Sequence, residues 1–190
     1  MVSVALLVGA AGALPGSVIA YLGLIALTAA ERLVEVRVSA RNAAWSFARG
    51  GVERGREHYP FMVVLHTAFL LGCAAEVALL GRAFTSPLGW LMLAIAAGCQ
   101  ALRWWCIRTL GPRWNTRVII VPDLPKVAGG PYRWMKHPNY VAVAVEGVAL
   151  PLVHGAWITA SVFSLLNAAL LRVRLAVEDE ALASLPGGTS

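Results

Sequence analysis

Charge is scarce in this chain: 14% of its 190 residues are Asp, Glu, Lys or Arg, against about 25% in soluble domains. Lysine is scarcer still, since Lys126 and Lys136 are the only basic residues that are not Arg. The three cysteines, Cys73, Cys99 and Cys106, sit in apolar runs without metal-ligand spacing. They read as buried thiols packing like small hydrophobes, and no metal is expected. Residues Met1 to Ala13 are apolar but carry no Lys or Arg, so the basic n-region of a cleaved secretory signal is missing and the segment is expected to be retained. What is present is apolar: 58% hydrophobic residues and a mean hydropathy of +0.69. That composition indicates an all-α integral membrane protein, and the length allows one domain over residues 1–190, with no room for a separate soluble catalytic domain. The net charge of +6 does not argue for nucleic acid, because the basic residues are not interleaved with an aromatic platform and the runs between them need lipid.

Five apolar segments are predicted: Pro15 to Val38, Tyr59 to Leu80, Pro87 to Leu110, Pro138 to Val153 and Gly155 to Leu171. Pro15, Pro87 and Pro138 stand at segment starts, where a missing N–H and a fixed φ suit the first helical turn. The fourth segment is short for a perpendicular span, so a tight helical hairpin with the fifth through His154-Gly155 is expected. If the connections after segments one and three share a side with the C-terminus, only Arg82 of the sixteen basic residues lies opposite. The positive-inside rule then makes that side cytoplasmic and the N-terminus external. Of the two connections there, residues 39–58 suit an interfacial helix broken at Gly50-Gly51. Residues 111–137 contain a β-like run, Arg117 to Val121, and suit a small hairpin.

The segment Gly130-Pro131-Tyr132-Arg133-Trp134-Met135-Lys136-His137-Pro138-Asn139-Tyr140 combines turn formers, aromatics and cations beside a membrane span. Irregular polar backbone survives there only against protein, water or a ligand. Pro138 opens a helix whose first-turn N–H groups suit an anion. Further on, Glu178-Asp179-Glu180 extends the last helix out of the membrane. Acids at a helix C-terminus oppose its dipole and ask for a positive partner. The hairpin returns them towards His137, giving a site with an anion-binding and a cation-binding end.

Gly130-Pro131-Tyr132-Arg133-x-x-Lys136-His137-Pro138-Asn139-Tyr140, a short helical hairpin, and Arg174-Leu175-x-x-Glu178-Asp179-x-x-Leu182 together resemble the signature of the isoprenylcysteine carboxyl methyltransferase family. Arg41-Asn42, Glu53-x-Gly55-x-x-His58-Tyr59-Pro60 and Arg113-Trp114-Asn115-Thr116-Arg117 resemble a bacterial branch linked to type III polyketide synthases. The resemblance implies S-adenosylmethionine as methyl donor, held by a cytoplasmic cap built from residues 111–190 beside a three-helix part, residues 1–110. By position, Tyr132, His137, Pro138 and Tyr140 would shape the pocket, with Glu178 and Asp179 opposite. Lys136 and Asp179 depart from the Arg and second Glu usual in the family, which removes a bidentate contact and shortens a reach. The chain has no Gly-rich strand-to-helix loop of the soluble Rossmann type, so its cofactor site is expected to be of the membrane type.

The acceptor is expected to be a hydrophobic or lipid-tailed small molecule, an alkylpyrone or alkylresorcinol first and a prenylcysteine carboxylate second, reached from the bacterial inner membrane. Other partners are membrane lipids, with a homo-oligomer left open. Glu146, two turns beyond His137 in an apolar run, suits a general base, or else pairs with Arg103, Asn167 or another helix. His66 is the rival base or an interhelical hydrogen-bonding residue. Arg103, Trp104 and Arg108 are candidate contacts to an anionic head, or interface anchors. Two competing classes remain: an NADPH-dependent membrane reductase, and a proton-conducting scaffold using Glu146 and Glu76.

Overall fold

The computed structural model describes residues 14–122 and 124–183; the apolar Met1 to Ala13 lies outside them. Five α-helices follow one another: α1 Gly16–Phe47, α2 Tyr59–Leu80, α3 Ser86–Leu110, α4 Pro138–Leu152 and α5 Trp157–Ala183. Four of them, all but α4, are long and apolar enough to cross a membrane, and the protein is an all-α integral membrane protein. Proline occupies the first turn of α2, α3 and α4, where no intrahelical acceptor is lost. The fourth helix has 15 residues, about 22 Å at about 1.5 Å per residue.

Packing is set by small residues and by a few polar ties. At the end remote from the motif, Tyr21, Ile25, Phe69, Cys73, Val77, Leu150 and Phe163 form a closed core, and Cys73, Cys99 and Cys106 are all buried free thiols. A side chain at Gly147 of α4 would run into the Phe163 ring, so glycine there permits the close approach of α4 and α5. The hairpin turn between them holds His154, buried against Tyr21 and Phe84. Glu76 of α2 caps α5 from a neighbouring helix, accepting from the Ile158 N–H at 3.1 Å, the Thr159 N–H at 2.7 Å and the Thr159 hydroxyl at 2.8 Å. Arg82 completes that cluster at 2.8 Å. Glu76 is therefore committed to orphan helix-end donors.

Both polar connections differ from expectation. No separate interfacial helix forms after residue 39; α1 continues without a break to Phe47, because Ser39, Asn42 and Ser46 are buried against the motif end instead of facing lipid headgroups. Asn42 Nδ2 donates to the carbonyls of Gly111 at 3.1 Å and Trp114 at 2.8 Å, tying α1 to the end of α3. The β-like run forms a strand, but its hairpin partner is not in the same connection. Strand β1, Val52–Arg54, pairs antiparallel with β2, Val118–Ile120, so the two connections clasp each other across the end of the bundle.

Candidate functional site

The motif and the acidic extension of α5 meet. Gly130–Arg133 forms a 3₁₀ turn, followed by His137 and the start of α4. Tyr140 and Val141 N–H groups donate to the His137 carbonyl at 3.1 and 3.3 Å, which leaves the Asn139 N–H as the first-turn donor without a backbone acceptor. The hairpin brings α5 back so that His137 Nε2 lies 2.8 Å from Asp179 Oδ1 and Nδ1 lies 3.5 Å from Glu178 Oε1. Lys136 reaches the same Asp179 at 2.7 Å. These cations are the positive partners that acids at a helix C-terminus require.

Electrostatics follow from that cage. Hydrogen bonding to Glu178, opposed by burial and supported by Asp179, holds the His137 pKa above its ordinary value. The Tyr140 phenol stacks beside the His137 ring at 5.6 Å and donates to Glu178. It also accepts from Arg174 Nε at 2.7 Å. Burial pushes the Tyr132 phenol above its usual range. Pro138 is fully buried and sets the angle of α4. Trp134 goes elsewhere: it is exposed and stands edge-on to Trp105 at 5.6 Å, on the outer surface.

Arg174, which stands in the sequence signature but was given no role there, joins three elements. Besides Tyr140 it reaches the Thr116 carbonyl and the Met62 sulfur, the latter at 3.2 Å. An Arg one turn before Glu178 on a membrane-exit helix was the available signal. Asn139 was also underweighted; its Oδ1 is buried with no partner among the described residues.

Deeper between the helices lies a second charged group. Arg103 donates to Glu146 at 2.6 Å, and Arg32 donates to Glu146 at 2.8 Å and to Glu35 at 2.6 Å. Gln100 accepts from Arg32 at 2.8 Å and donates to Glu31. Of the two residues considered as partners for Glu146, Arg103 is present, while Asn167 Oδ1 is buried with no partner among the described residues. The sequence signal missed was Glu31, Arg32 and Glu35 inside an apolar run. His66 bonds within its own helix, through Nδ1 to the Met62 carbonyl at 2.9 Å, and its ring meets Phe163 edge-on. His66 and Glu146 share a cavity of about 20 Å³ with Thr28, Arg32 and Phe163, room for about one water. Arg103 is buried and Arg108 exposed; five residues on a helix place them about 140° apart, so they do not converge. Trp104 is half-buried.

The profile of the isoprenylcysteine carboxyl methyltransferase family matches residues 90–184, half of the chain. The chain belongs to this family. The matched span contains most of α3, the motif, the α4–α5 hairpin and Glu178. The chain is also 38% identical, over 161 residues, to the uncharacterized protein YpbQ of Bacillus subtilis (strain 168), covering 84% of this chain and 94% of that protein. No solved structure matches it significantly. Members of the family are membrane methyltransferases that use S-adenosylmethionine as methyl donor. The residues present suit that cofactor: among the described residues Asn139 Oδ1 is buried without a partner and the Asn139 N–H has no backbone acceptor, near a carboxylate cluster on α5 that can accept from hydroxyl or amino groups. Among the described residues no cluster of ligands suits a metal ion.

Proposed function

We propose that this protein transfers a methyl group from S-adenosylmethionine to an oxygen atom of a lipid-tailed small molecule, with an alkylpyrone or alkylresorcinol as the preferred acceptor. The observation that carries the reading is the Glu178 carboxylate, presented to the motif by Tyr140 and His137 and flanked by the unsatisfied Asn139. Tyr132, Pro138, His137, Tyr140, Glu178 and Asp179 would hold the cofactor; when bound, it supplies a methyl group already activated on a sulfonium. The chain's own task is then to align an acceptor oxygen and exclude water, an effect that reaches about 7 to 11 kcal/mol in favourable intramolecular cases.

A carboxylate or acidic enol arrives ionised and needs no base; a phenol, with a pKa near about 10, benefits from one. Glu146 is held by Arg32 and Arg103 and His66 by the Met62 carbonyl, and the cavity they share has room for about one water, so a phenolic proton would reach either group only through that water. The imbalance of Lys and Arg between the two ends supports a cytoplasmic motif end and an external N-terminus. A prenylcysteine carboxylate, the substrate for which the family is named, is the second acceptor reading.

Calorimetric titration of the detergent-purified protein with S-adenosylhomocysteine, with NADPH in parallel, tests the class. Saturable binding of the first alone is expected. Binding of NADPH alone would overturn the proposal in favour of a reductase, and binding of neither would leave a scaffold.

A further inference from the structure

A second cavity belongs neither to the motif nor to the buried charge cluster. It measures about 290 Å³ and is lined by Val36, Ser39, Glu53, Arg56, Tyr59 and Arg117, with Ala40 and Pro60 at its margin. It sits where α1 and α2 meet the β1–β2 clasp. All of its lining except Arg117 precedes the span matched by the family profile. We propose that this cavity receives the polar head of the methyl acceptor, an amphiphile whose head carries one acidic oxygen and one hydroxyl. The proposal rests on the methyltransferase reading and adds to it where the second substrate goes.

The lining states what it needs. Arg117 donates to Glu53 Oε2 at 3.1 Å, while Glu53 Oε1 is buried and has no partner among the described residues. A buried carboxylate oxygen left unpaired calls for a donor. Arg56 has no carboxylate partner among the described residues, so two guanidinium groups face one carboxylate. The surplus positive charge calls for a singly charged anion. Tyr59 accepts from the Thr116 hydroxyl at 3.3 Å, which leaves its own phenolic proton for a ligand. A head offering an O–H to Glu53 and an oxyanion to Arg56 meets all three demands. Val36, Ala40 and Pro60 form the apolar margin, and Val36 and Phe61 are exposed on the membrane-facing side, giving a tail a route into lipid.

The position suits transfer. Thr116 is hydrogen-bonded to the lining residue Tyr59 through its hydroxyl, and its carbonyl accepts from Arg174, which also donates to Tyr140, the phenol bound to Glu178. One Arg thus links the back of this cavity to the motif. Gly55, at φ +60, lies so close to Val177 that a Cβ would stand 2.9 Å from its side chain. This holds the β1 loop against α5 one residue before Glu178. The roughly 20 Å³ cavity beside Glu146 is too small for any head group.

An anionic phospholipid headgroup offers the same oxyanion, so the test separates the two sources. The parent, Arg56→Ala and Ala40→Phe are placed in nanodiscs and titrated with a long-chain alkylpyrone that bears one acidic enol and one separate hydroxyl and, separately, with S-adenosylhomocysteine. Ala40 is exposed at the cavity margin, so a larger side chain fills space without disturbing the core. Both variants are expected to bind the pyrone at least about tenfold more weakly, the size of one lost charge-assisted contact, and to bind S-adenosylhomocysteine as the parent does. Unchanged pyrone binding in the variants, or a parent that takes up no pyrone, would overturn the proposal. A parallel loss of S-adenosylhomocysteine would assign the cavity to the cofactor and overturn it too. So would displacement of the pyrone by phosphatidylglycerol at nanodisc concentrations. A parent that binds the pyrone in this pattern but not S-adenosylhomocysteine would sink the methyltransferase reading and leave the head-group site standing.

Discussion

Two charged regions hold this bundle, and they differ in what they leave over. Between the helices, Arg32 and Arg103 divide themselves among Glu35 and Glu146; Arg103 Nε makes only a 3.6 Å ion contact to Glu35 and no hydrogen bond among the described residues, and the space beside the cluster admits about one water. At the motif end, Asn139 Oδ1 and Glu53 Oε1 have no partners among the described residues, and Glu53 and Arg56 line a cavity of about 290 Å³. Ion pairs packed in a closed space align helices. Ion pairs that leave atoms unsatisfied next to open volume are arranged for something that arrives later.

That contrast can be broken by experiment, beginning with the closed cluster. Glu146→Ala strands two guanidinium groups away from water and is expected to cost about 3 to 5 kcal/mol, seen as a large fall in the unfolding midpoint in detergent. A variant that stays as stable as the parent but loses turnover would show the cluster to be catalytic instead of structural. Glu178→Ala should do the opposite, weakening S-adenosylhomocysteine by about 100-fold, or about 2.7 kcal/mol, with little change in the unfolding midpoint. Equal binding by both proteins would remove Glu178 from the site. Gly147→Ala pushes a methyl group into Phe163 and is expected to destabilise by about 1 to 3 kcal/mol. Unfolding measurements that find no cost would mean α4 and α5 are free to separate. Glu76→Ala removes the side chain that caps α5 and should cost about 0.5 to 2 kcal/mol, with cofactor affinity unchanged.

The smallest effect concerns pH. His137 is held above its ordinary pKa, so the stability it adds is fully present below about pH 6.5 and is lost as pH rises through its raised midpoint. Its imidazole resonance should titrate above that value in the parent and move down in Glu178→Gln. No movement would mean that the tie between α4 and α5 is not ionic.

Much of the frame was legible because it depends on local chemistry. Pro15, Pro87 and Pro138 marked where α1, α3 and α4 begin, and apolar length separated the spans. The acids at the end of α5 asked for cations, and the short hairpin left His137 and Lys136 as the ones within reach. The intramembrane partners of Glu146 were only half legible, since Arg103 and Arg32 are brought together by the relative rotation of three helices, which no single segment specifies. The large cavity was not legible at all. Its walls come from residues 36–60 and from Arg117, and the strands that join them are three residues long, too short to show a period of two.

The pairing of Arg54 with Val118 also imposes an order of events during synthesis. The first strand leaves the ribosome 64 residues ahead of its partner, a delay of about 3 to 13 s at roughly 5 to 20 residues per second. During that interval α2 and α3 are made while the first strand has no partner to pair with. The compartment proposed for the second substrate is thus completed only after α3 has emerged, and a chain stopped at the end of α3 would carry nearly all of its lining residues with no lid over them.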